Sequence, residues 1–175
     1  MTMLQLAGPP AATAFRLEKL RAELRALAPA VGDAAAHFEH FVHLERPLTE
    51  REDRVLRALL DYGGGAAPRS GGAQKLYVVP RLGTISPWSS KASDIARNCG
   101  FAGVRRIERG VAFYLDSKNS GLAALLHDRM TQTVLRSFDE AAKLFEHVPP
   151  RPLQFIADIQ KANRDLGLAL SKDEI

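Results

Sequence analysis

Ala36-His37-Phe38-Glu39-His40-Phe41-Val42-His43-Leu44, followed shortly by Thr49-Glu50-Arg51-Glu52, sets the reading of this chain. Successive side chains of a strand point to opposite faces, so Phe38, His40, Val42 and Leu44 share one face of the first run. His37, Glu39, Phe41 and His43 share the other. Arg46-Pro47 closes the strand. The second run is a capping box: Thr49 accepts from the Glu52 backbone while the Glu52 side chain reaches back. The helix it opens carries Val55, Leu56, Leu59 and Leu60 on its inner face and stops at Gly63.

The same alternation extends toward the N-terminus. Leu4 to Leu6 reads as a short first strand broken by Gly8-Pro9-Pro10. A helix from about Thr13 to Leu27 presents Leu17, Leu20, Leu24 and Leu27 at three- and four-residue spacing. Pro29 and Gly32 end it. Toward the C-terminus, Gly63 to Gly72 is a glycine-rich loop. It follows a helix and lacks the Gly-Lys-Ser/Thr ending of a phosphate loop, so it reads as a connection.

Leu76 to Val79 is a buried strand, and Arg81 to Pro87 is a loop. A helix starts at Ser86-Pro87 or Ser89-Ser90, with Ile95, Ala96 and Cys99 inside and Gly100 as its stop. Val104 to Ile107 and Val111 to Leu115 read as two strands around a hairpin turn at Glu108-Arg109-Gly110. Ser120 to His127 is a short helix and Arg129 to Leu135 the last strand. Ser137-Phe138-Asp139-Glu140 reads as a second capping box, its helix ending at Pro149-Pro150. A final amphipathic helix covers about Leu153 to Leu170, striped by Ile156, Ile159, Leu166 and Leu170. The fold class is α+β: two similar units with antiparallel sheet and helices packed on one face, then a helical segment.

The chain has 175 residues, 46% of them hydrophobic, enough for a real core and against a mainly disordered protein. No apolar run approaches the ~20 residues of a membrane span. The first residues lack the basic and apolar regions of a secretory signal. Cys99 is the only cysteine, which excludes an internal disulfide and a thiolate zinc site. A cytoplasmic protein is the expectation. The net charge of +4 is unevenly spread: residues 71 to 115 carry an excess of +5, while the segments before and after sum to 0 and −1. That pattern favours a local anionic partner over a generally basic surface.

His37, His40 and His43 invite a metal reading, but only His37 and His43 share a face, and they lie about 20 Å apart along a strand. They cannot hold one ion. Arg81-Leu82-Gly83-Thr84-Ile85-Ser86-Pro87-Trp88-Ser89-Ser90-Lys91 carries a glycine, hydroxyls and two cations beside a helix N-terminus, a set suited to phosphate or carboxylate. Equally, the serines can cap the helix while Trp88 packs on the core. His127-Asp128-Arg129 sets an imidazole, a carboxylate and a guanidinium side by side at a helix-to-strand junction, or forms a local ion pair and cap. No nucleophile–base–orienter set is present. Exposed aromatics do not interleave with basic residues as on an RNA-stacking sheet.

The run Arg81 to Ala96 and Asn98-Cys99-Gly100 resemble the N-terminal domain of the large, single-chain phosphoribosylformylglycinamidine synthase (FGAM synthase, PurL type). Ile107-Glu108-Arg109-Gly110-Val111, Leu126-His127-Asp128-Arg129-Met130-Thr131 and Asn163 to Leu170 agree with it as well. Leu82 stands where the bacterial pattern has proline.

The resemblance implies a PurS-like duplicated domain over residues 1–147 and the start of a helical linker domain over 152–175. It implies an N-terminal non-catalytic fragment of an enzyme of de novo purine biosynthesis. That enzyme makes formylglycinamidine ribonucleotide from formylglycinamide ribonucleotide, glutamine and ATP. ATP and magnesium belong to the downstream synthetase domains, and the glutaminase cysteine belongs to a further domain, so Cys99 is not that nucleophile. The isolated chain is expected to be inactive, with no cofactor or metal of its own and no membrane or nucleic-acid partner. The resemblance makes the downstream domains and the phosphorylated ribonucleotide its partners. Arg81, Thr84, Ser86, His127, Asp128 and Arg129 are the expected substrate-binding residues. The competing reading is a free-standing anion- or nucleic-acid-binding α+β module, which salt-dependent binding to generic DNA or RNA favours.

Overall fold

Thr49 accepts the Glu52 backbone N–H at 3.3 Å, and Glu52 accepts the Thr49 N–H at 2.8 Å, so the reciprocal cap forms as the sequence predicts. Arg46 adds a two-armed ion pair to the same carboxylate, at 2.7 and 2.9 Å. Its guanidinium and the Thr49 N–H hold the Glu52 carboxyl down to about 2. The helix therefore begins at a fixed point after the strand. The structure is a computed structural model that describes residues 2–61, 72–146, 149, 152–153 and 155–175. Gly63 to Gly71 of the glycine-rich loop, and Pro150, lie outside the described residues.

The elements are β1 (Thr2–Pro10), α1 (Ala14–Leu27), β2 (Ala34–Leu44), α2 (Glu50–Leu60), β3 (Gln74–Pro80), α3 (Pro87–Asn98), β4 (Val104–Leu115), α4 (Ala123–Leu126), β5 (Gln132–Leu135) and α5 (Ile159–Leu166). Short 3-10 turns at Ser120–Leu122 and Asp139–Leu144 flank α4 and β5. Among the described residues the strands form one sheet in the order β1-β2-β4-β3-β5, antiparallel throughout. The α+β class with antiparallel sheet and helices is the one expected. No helix of the described residues is long and apolar enough to cross a membrane.

The long central pair β2–β4 carries the core. On one face Leu24 of α1 and Leu126 of α4 pack on Ala34, Leu76, Val78 and Leu115. On the same face Leu56 and Leu60 of α2 and Ala96 of α3 pack on Val42, Leu44 and Ile107. The opposite face is covered in part by the segment after β5, where Phe138, Ala141 and Leu144 meet Phe41, Tyr77 and Val79. The two-face reading of β2 thus holds, with both faces partly buried.

Several sequence expectations need correction. Glu108-Arg109-Gly110 is no turn: β4 runs unbroken from Val104 to Leu115, and Gly110 pairs with Glu39 of β2. The glycine is needed for a close approach, since a Cβ there would lie 2.8 Å from the Val78 carbonyl oxygen and 2.9 Å from the Val79 side chain. Gly8-Pro9-Pro10 does not break β1, which absorbs it as an irregularity between Ala7 and Pro10. Proline is tolerated there because β1 is an edge strand.

Ser137 caps nothing. The turn Asp139–Leu144 has no side-chain cap, and Glu140 instead accepts the Arg136 N–H at 3.1 Å. The last helix is shorter than its apolar stripe, because Asp158 caps it at Lys161 and Gly167 ends it in the left-handed conformation. Leu27, Ile95 and Cys99 are exposed, and Val55 and Leu59 are partly so.

Gly110→Ala is expected to destabilise the domain by roughly 2–3 kcal/mol, because its new methyl meets backbone that cannot retreat. Urea denaturation of the variant against wild type measures this.

Candidate functional site

Pro80 ends β3, and Gly83 takes a positive φ of 79° that turns the chain back. Thr84 closes this turn on the Arg81 carbonyl with its hydroxyl at 2.6 Å and its N–H at 3.3 Å. Ser86 then caps α3, its oxygen accepting the Ser89 N–H at 3.0 Å, with Pro87 in the first turn. This is the capping alternative that the sequence left open for the serines.

The loop is clamped from below by β4. Ser86 donates its hydroxyl to Glu108 at 2.8 Å and its N–H to the same carboxylate at 3.3 Å. Arg106 ion-pairs with Glu108 and donates to the Thr84 carbonyl at 2.9 Å and the Ser89 hydroxyl at 3.3 Å. Glu108 is fully buried. The α3 N-terminus therefore already faces a negative charge supplied by the chain itself.

The second predicted stretch lies alongside. The Arg81 N–H donates to the Thr131 carbonyl at 2.9 Å, continuing the β3–β5 pairing that ends at Pro80 and Gln132. Asp128 organises this turn by accepting from the Met130 N–H at 2.8 Å and the Thr131 hydroxyl at 3.0 Å, which hold its carboxyl below the usual range. His127 donates from Nδ1 to the Ala123 carbonyl at 2.7 Å, closing the end of α4.

The structure thus brings Arg81 and Thr84 to the same sheet end as Asp128 and Arg129. It leaves the exposed guanidiniums of Arg81 and Arg129 without a polar partner among the described residues. Ser86 and Asp128 spend their side-chain oxygens on local structure, Thr84 donates its hydroxyl to it, and His127 commits Nδ1.

Sequence reasoning missed the groups under the loop. Arg106 and Glu108 were hidden by the turn assignment, although two opposite charges two residues apart on one strand share a face. Arg109 was missed too. Its guanidinium sits 4.3 Å from the centre of the Phe38 ring and 4.8 Å from that of Trp88. Trp88 also lies against His40, with ring centres 5.6 Å apart. Among the described residues, no three histidine, cysteine, aspartate or glutamate side chains group as a metal site.

A family model described as the N-terminal region of formylglycinamide ribonucleotide amidotransferase matches residues 37–145. The chain belongs to this family. The match bears out the resemblance carried by the Thr84 to Lys91 run. In this amidotransferase domain the matched span runs from within β2 to the end of the turn after β5, and so includes the whole clamped loop and the Asp128 turn. β1 and α1 precede it.

His40 gives the domain a measurable acid response. Burial pushes its imidazole from 6.5 down to about 4, against the opposing bond to the Leu6 carbonyl, and Arg109 pushes the same way. The folded state holds it neutral while the unfolded chain protonates it. Its contribution is therefore present above pH 6.5 and is lost as pH falls toward 4. Between pH 7 and 4.5 the loss is about 2 kcal/mol. Denaturation at both pH values should show this part of the slope removed in His40→Gln.

Proposed function

We propose that this domain is the non-catalytic cover of the synthetase active site in a complete amidotransferase. That enzyme joins formylglycinamide ribonucleotide with ammonia drawn from glutamine, driven by ATP. The observation that carries this reading is the pair of exposed guanidiniums, Arg81 and Arg129, held on adjoining segments by the Arg81–Thr131 backbone bond of 2.9 Å. Two such groups suit a phosphate, which takes bidentate or paired guanidinium donors. The +5 excess of residues 71–115 is in line with this, although Lys75 and Arg105 of that segment pair with Glu39 and Glu45.

In this reading Arg81 and Arg129 face the ribonucleotide, while Thr84, Ser86, Asp128 and His127 fix the segments that carry them. On the same reading ATP and its magnesium are held by the downstream synthetase domains. The chain supplies binding and exclusion of water, which protects a reactive phosphorylated intermediate and ammonia from loss. It performs no covalent step and is inactive alone. Its partners are the synthetase and glutaminase domains, in the cytoplasm.

The strand order supports a further part of the reading. Each half places its first strand outside its second, β1 outside β2 and β3 outside β4. We take the halves as a duplicated PurS-like unit meeting at the β2–β4 pair, with the helical linker starting near residue 152.

Arg81→Ala and Arg129→Ala in the complete enzyme should each raise KM for the ribonucleotide about tenfold, the worth of one charge-assisted hydrogen bond, with circular dichroism unchanged. Steady-state kinetics at wild-type values in both variants would remove these residues from the site.

A further inference from the structure

Glu108 is an unusual place for a charge. It is fully buried on β4, beyond the last β3–β4 pair, Val78 with Val111. A carboxylate survives there only if it is paired and hydrogen-bonded. Its partners are Arg106 and both polar groups of Ser86. Arg106 carries the connection on to the Thr84 carbonyl at 2.9 Å and the Ser89 hydroxyl at 3.3 Å. One ion pair on the sheet thus holds two points of the segment between β3 and α3, Thr84 and Ser86, and one in the first turn of α3, Ser89.

The position of that carboxylate has a second effect. A helix N-terminus attracts anions through its free N–H groups and dipole. Here the Ser86 side chain takes the Ser89 N–H, and Glu108 takes the Ser86 N–H. An external phosphate would find these two N–H groups already taken and would have to enter beside the Glu108 carboxylate.

We infer that Glu108 and Arg106 are positioning residues. They form an internal anion and its counter-ion that fix the Arg81–Ser86 segment and close the α3 N-terminus to outside phosphate. The segment then meets its ligand through the Arg81 side chain. This inference rests on the substrate-facing reading of that segment.

The test uses the complete amidotransferase with Glu108→Gln, which keeps shape and removes charge, and Glu108→Ala, which leaves room for a small carboxylate. Backbone amides of Thr84, Ser86 and Ser89 should exchange with deuterium at least tenfold faster in both variants. Added formate should slow exchange again in Glu108→Ala and leave Glu108→Gln unchanged. In Glu108→Gln, KM for the ribonucleotide should rise about tenfold with kcat within twofold of wild type.

Wild-type exchange in both variants overturns the inference. So does exchange in Glu108→Ala that ignores formate, or a loss of folding in both variants, which assigns the pair to general stability. A loosened segment that formate tightens, with KM unchanged, keeps the internal-anion role and instead overturns the reading that this segment faces substrate.

Discussion

The antiparallel pairing of β2 with β4 is the constraint on which the rest of the domain depends. It runs from Ala34 opposite Leu115 to Leu44 opposite Val104, the longest ladder in the sheet. Every core cluster takes residues from it, on one face beneath the four helices α1–α4 and on the other beneath the segment after β5. Because side chains alternate along a strand, a slip of one residue would exchange Val42 and Ile107 for Phe41 and Glu108 on the helical face. The close approach at Gly110 helps prevent such a slip, since only a glycine fits against the Val78 carbonyl there.

The unequal lengths of β3 and β4 shape the sheet end that carries residues 81–86. β3 pairs with β4 only as far as Val78 and Val111, so the first part of β4 has an open edge. α3 fills that edge: the Ile107 N–H donates to the Ser93 hydroxyl at 3.0 Å, in place of a strand partner. The loop that leads into α3 must then pass directly over Arg106 and Glu108. The buried ion pair and the helix cap are consequences of one geometric fact. A buried polar group that is fully paired specifies one arrangement, since any other leaves a charge unsatisfied.

Much of this was legible in the residues. Thr49 and Glu52 marked the start of α2 as a capping box, because caps are local chemistry. The sequence places α1 from about Thr13, and of the two starts it leaves open for α3, Ser86-Pro87 and Ser89-Ser90, the structure uses the first. The Thr-Ile-Ser-Pro-Trp-Ser-Ser-Lys run carried the family. The errors came where tertiary contacts override local signals. Gly110 signalled a turn but serves a close approach between strands. Gly8-Pro9-Pro10 signalled a break but is carried by an edge strand. Ser137 and Glu140 had the spacing of a cap, yet Glu140 turns back to the Arg136 N–H. At the site, the sequence located the exposed cations Arg81 and Arg129 but not what holds them. Adjacency in sequence does not reveal that β4 passes beneath the loop.

In the proposed function, the sheet end formed by residues 81–86 and 128–131 faces the ribonucleotide in the complete enzyme. Hydrogen–deuterium exchange of the complete amidotransferase, with and without formylglycinamide ribonucleotide, tests it most directly. Ligand should slow exchange in both segments together, while amides at the far end of the sheet, around Ala34 and Leu115, stay as they were. Ligand protection that leaves both segments unchanged would contradict it.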